Sequence, residues 1–82
     1  MSIRKTILHL INQETVISIP ITDITDLYKD LYLDSLSFVC LLTDIEEQFH
    51  ITIELSEMAD CRIVGQLIKI VESKVKEGER ND

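Results

Sequence analysis

Apolar residues recur at Phe38, Leu41, Leu42, Ile45 and Phe49, and again at Val64, Leu67, Ile68, Val71 and Val75. Steps of three and four residues mark one face of an α-helix, so the chain must bury two such stripes. A third set, Ile3, Ile7, Leu10 and Ile11 with Leu8 at its margin, predicts a helix from a Ser2 cap to about Gln13 or Glu14. Eighty-two residues leave room for one small domain and one core. The expected fold class is all-α.

The segment 35–49 carries more apolar surface than one core can use. At roughly 100° per residue, Leu36, Val39 and Thr43 fall opposite the Phe38 stripe, with Cys40 and Glu47 beside them. This second stripe is a candidate docking surface; plain core burial of Leu36 and Val39 is the alternative. Asp34 stands where an N-cap belongs, which makes Ser35 the first helical residue. The helix is expected to end near Phe49 and His50, with His50 as a C-cap or surface residue.

Between the helices, residues 15–33 read as a loop. The β-branched run Val16-Ile17-Ser18-Ile19 is short for a sheet, although a strand there is the alternative, and Pro20 stops a helix. Loops of this length need a function or their own packing, and Ile24, Leu27, Tyr28 and Leu31 are expected to pin it to the core. Ser56 is expected to cap a short turn through Glu57, Met58 and Ala59, before a last helix from about Arg62. Gly65 inside that helix costs about 1 kcal/mol against alanine, which points to close packing with a neighbour. The expected domain is residues 1–76, with 77–82 a polar, disordered tail.

Charge narrows the function classes. Residues 21–60 hold ten carboxylates against Lys29 alone, a local charge of −9 in a chain whose total is −7. Such a field repels nucleic acid and anionic membrane and steers toward basic protein surfaces. Cys40 and Cys61 form no Cys-x-x-Cys pair, and His9 and His50 supply no matching metal spacing. The acidic run Asp23, Asp26, Asp30, Asp34 lacks the central glycine and closing glutamate of a calcium loop. A hydrolase built on Cys40 with His50 or His9 would need a pocket this chain can hardly supply. No signal peptide or membrane span is read, so the expectation is a cytoplasmic monomer with free thiols and no enzymatic activity.

Thr25-Asp26-Leu27, then Asp30-Leu31-Tyr32-Leu33-Asp34-Ser35-Leu36 opening a helix that closes Ile45-Glu46-Glu47-Gln48-Phe49, resembles the acyl carrier protein family and its peptidyl and aminoacyl carrier relatives. The resemblance runs from about Ile21 to Val71. It implies a small three-to-four-helix bundle with a long first loop. It also implies that Ser35 receives a phosphopantetheine arm from coenzyme A, with cargo carried on the arm's thiol as a thioester. Asp34 would help position the metal and the serine during transfer. Leu36, Val39, Cys40, Thr43, Glu46 and Glu47 would meet partners: a phosphopantetheinyl transferase, an activating ligase, and downstream synthases or transferases. The plain alternatives are an ordinary first-turn serine and an unmodified helical adaptor.

A helix N-terminus, with unpaired N–H groups and partial positive charge, suits the phosphodiester that such an arm brings. The serine needs no base of its own, since a separate transferase would activate it. Two departures stand out. The family's frequent glycine before x-Asp-Ser-Leu is Tyr32 here, and the acidic residues common at the second and fifth positions after the serine are Ser37 and Cys40. They imply a specialised carrier rather than one of primary fatty-acid synthesis.

Overall fold

The computed structural model describes residues 2–80. Three helices make a bundle: α1 (Ile3–Glu14), α2 (Ser35–Phe49) and α3 (Val64–Arg80), with 3₁₀ turns at Leu55–Glu57 and Asp60–Arg62. Ser2 and Asp34 cap α1 and α2 as their side chains predict, accepting from the N–H groups of Lys5 and Ser37. The core joins the three stripes: Ile7 and Ile11, then Phe38, Leu41, Leu42 and Ile45, then Val64, Leu67, Ile68 and Val71. Each such side chain, fully buried, contributes about 1.5–3 kcal/mol before the entropy of ordering it. Phe49 and Val75 lie at the edge, half-buried against this cluster.

The long first loop is packed by its own residues. Leu27, Leu31 and Leu33 are buried, and Tyr28 is half-buried with its ring 5.1 Å from that of Phe38. Ile24 departs from expectation: at 85 % exposure it pins nothing. The backbone does that work instead. Leu27 N–H donates to the Arg62 carbonyl at 2.7 Å, Val64 N–H to that of Thr25 at 3.0 Å, and Gly65 N–H to that of Asp23 at 2.8 Å. These bonds lash the loop to the second 3₁₀ turn and the start of α3. They also explain Gly65, because a Cβ there would lie 2.8 Å from the Asp23 carbonyl oxygen. Residues 16–19 form no strand; Val16 is 98 % exposed, and an isolated bridge between Asp26 and Ile63 is the extended pairing among the described residues.

Three further boundaries differ from the sequence reading. Ser56 caps nothing. The first 3₁₀ turn begins after Glu54, whose N–H donates to Glu57 Oε1 at 2.8 Å. The last helix starts at Val64 rather than Arg62, because Asp60–Arg62 closes its own turn first. It also runs to Arg80, past the expected start of the tail, since Lys76, Glu77 and Glu79 are good helix formers. Residues 81–82 of that tail lie outside the described residues.

Candidate functional site

Leu33 fixes the approach to α2. Its side chain is buried and its N–H donates to the Leu27 carbonyl at 3.0 Å. Asp34 then turns the chain into the helix: its carbonyl accepts from Phe38 N–H at 2.9 Å, and Oδ1 accepts from Ser37 N–H at 2.8 Å. The Ser37 N–H, aided by the Ser37 hydroxyl, holds the Asp34 carboxyl below its ordinary value of 3.8, so it is ionised at neutral pH. Ser35 follows as the first residue of α2, on the exposed side. The N-terminal pole of α2 is thus already held by a carboxylate of its own.

Tyr32 adopts φ 55, the left-handed region that glycine occupies without cost. This is the position where the resemblance expects glycine. A tyrosine pays about 1–2 kcal/mol to stand there. His50 has the same φ and forms the C-cap of α2, its N–H donating to the Glu46 carbonyl.

The outward stripe is open. Leu36 is 73 % and Val39 47 % exposed, and Cys40, Thr43 and Glu47 are exposed beside them. Glu46 is different: it is half-buried and its Oε2 accepts from Ile53 N–H at 2.8 Å, which fixes the turn after α2. Of the six residues expected to meet partners, this one is tied by its side chain to its own backbone. Cys61 is buried, and burial, with Glu57 and Asp60 nearby, pushes its thiol up to about 11. Among the described residues no group of His, Cys, Asp and Glu could hold a metal ion, and no helix is long and apolar enough to cross a membrane.

A cleft of about 330 Å³ opens at Ser35. Tyr28, Phe38, Val39, Met58 and Ala59 give it an apolar lining, and Arg62 shares its edge with Ser35. Sequence reading missed Arg62. Its Nε and Nη2 lie 3.2 and 3.1 Å from Oδ2 of Asp26, a partner thirty-six positions away. Asp26 is itself buried, with Oδ1 accepting from the N–H groups of Tyr28 and Lys29 at 2.8 and 3.0 Å. Burial alone would raise its pKa, but those two N–H groups and the Arg62 guanidinium outweigh it and lower it. The Thr25-Asp26-Leu27 motif was the available signal for this knot, although nothing in the sequence tied it to Arg62.

An exposed serine at the head of a helix, beside an apolar cleft with one guanidinium, is chemically suited to bear an attached group. The phosphopantetheine attachment site family matches residues 5–71, and the chain belongs to that family. Members are carriers rather than enzymes and bear a covalent phosphopantetheine group, which supplies a thiol for thioester linkage. The residues here fit it: Ser35 is exposed at the head of α2, and the apolar cleft it lines also holds Arg62. No curated protein matches the chain.

Proposed function

We propose that Ser35 is the attachment residue and that the chain carries acyl groups for partner enzymes of a specialised lipid or secondary-metabolite pathway. The observation that carries this reading is the exposure of Ser35 at the start of α2, with Asp34 fixing the turn that presents it. Leu36, Val39, Cys40, Thr43 and Glu47 supply the docking face, with Glu46 behind it. Leu36 is the apolar handle nearest the serine, and the acidic surroundings favour partners with basic rims. Those partners are a phosphopantetheinyl transferase, an activating ligase and the synthases or transferases that use the cargo. Ser37 and Cys40 in place of acidic residues support a dedicated pathway, and an aminoacyl or peptidyl cargo is the second reading they favour. A monomer in the cytoplasm is part of this reading, since a reducing compartment keeps thiols such as Cys40 and Cys61 unpaired.

The test is an incubation with coenzyme A, magnesium and a broad-specificity phosphopantetheinyl transferase, read by intact mass. Wild type should gain one phosphopantetheinyl group and Ser35→Ala none. A wild-type mass that stays unchanged would leave an unmodified helical adaptor as the better account.

A further inference from the structure

Attachment at Ser35 would add a phosphodiester to an acidic neighbourhood. Its phosphorus is bonded directly to the serine oxygen, so the charge stays at the mouth of the cleft whatever the rest of the arm does. The N-terminus of α2 is a poor counter-charge here, because the ionised Asp34 carboxylate already accepts from Ser37 N–H. Residues 21–60 offer Lys29 as their one basic side chain. The cation that lines the same cleft as Ser35 is Arg62.

Arg62 is held in a way that suits a second anion. Nε and Nη2 both reach the single oxygen Oδ2 of Asp26, which takes one edge of the guanidinium. Its carbon lies 5.4 Å from the centre of the Tyr28 ring, so the ring braces the group as well. A guanidinium has five N–H donors in a rigid fork, and this pairing leaves Nη1 with hydrogens to give. Asp26 in turn is fixed by the N–H groups of Tyr28 and Lys29. The guanidinium is therefore held at the cleft before any anion arrives.

Resting on the assignment of Ser35, we propose that Arg62 is the positioning residue for the phosphodiester of the arm. It offsets the local acidic field and holds the root of the arm against the cleft, with Asp26 as its anchor. Charge-assisted bonds from guanidinium to phosphate oxygen are among the stronger hydrogen bonds a half-exposed site can make.

The experiment compares the apo and loaded forms of the whole chain, with loading checked by intact mass. In ¹⁵N spectra of the guanidinium groups, the Arg62 Nε–H signal should shift on loading while that of Arg4, paired with Asp23 outside the cleft, stays put. The ³¹P signal of the loaded protein should move in Arg62→Gln and return toward its wild-type position in Arg62→Lys, which keeps the charge. Should Arg62→Gln fail to fold for want of a partner to Asp26, the wild-type comparison and Arg62→Lys still decide. Full loading with an unmoved Arg62 signal and identical ³¹P positions would overturn the role of Arg62 alone. Absence of loading would overturn the assignment of Ser35, and this role with it.

Discussion

The two faces of α2 have similar residues and opposite fates. Phe38, Leu41, Leu42 and Ile45 are buried, whereas Leu36 and Val39, one or two positions away, stand open. Nothing in hydrophobicity separates them. The difference lies in what each face meets: the side chains of the shared core cover one, whereas the other meets only the rim of the cleft that Val39 lines with Met58 and Ala59. Contiguous apolar surface left open in so small a domain marks an interaction site, and under the proposed function it is the part that partners read.

The largest contrast should come from one substitution on each face. Leu41→Ala is expected to cost about 2–5 kcal/mol by opening a cavity in the core. Val39→Asp should stay within about 0.5 kcal/mol of wild type in urea unfolding, while slowing transferase loading by about tenfold. Equal effects on stability would erase the distinction between the faces.

The head of the open face depends on the Asp26–Arg62 knot. Asp26→Asn should cost about 1–3 kcal/mol at pH 7, with Arg62 half-exposed and so partly screened. The folded pKa of Asp26 lies below its unfolded value. Its contribution is therefore present above the unfolded value and fades as pH falls through the folded one. Wild type should lose more stability than Asp26→Asn between pH 5 and pH 2 by thermal unfolding. A variant that loses as much as wild type would remove Asp26 from the account.

Gly65→Ala tests the lashing of the same loop and should cost about 1–3 kcal/mol, because the new methyl meets backbone rather than a movable side chain. A neutral result in chemical denaturation would show that the loop can shift away. Smallest is Tyr32→Gly. Relief of the left-handed strain should gain about 1 kcal/mol, partly offset by the looser unfolded chain. A loss of stability would mean that the exposed ring contributes more than its backbone conformation costs.

These elements also show how far a sequence can be read. The helical stripes, the Asp34 and Ser2 caps and the His50 C-cap follow from local patterns, and the close approach at Gly65 follows from a glycine where none is needed locally. Ile24 was misplaced because its exposure is set by backbone bonds from Thr25, Leu27 and Asp23 to the start of α3. Ser56 lost the cap to Glu54, whose N–H donates to Glu57, a side chain that pairs with Lys74 at 2.9 Å. Arg62 was invisible for the same reason: its role depends on a carboxylate thirty-six residues away. Local signals were legible, and tertiary hydrogen bonds were not.

The open face presents two serines near the head of α2, Ser35 exposed and Ser37 half-buried with its N–H bound to Asp34. Tandem mass spectrometry of the proteolysed, loaded protein separates them. Fragment ions should carry the added group on Ser35, with Ser37 bare. The group on Ser37, or on any residue away from the helix start, would overturn the assignment of Ser35.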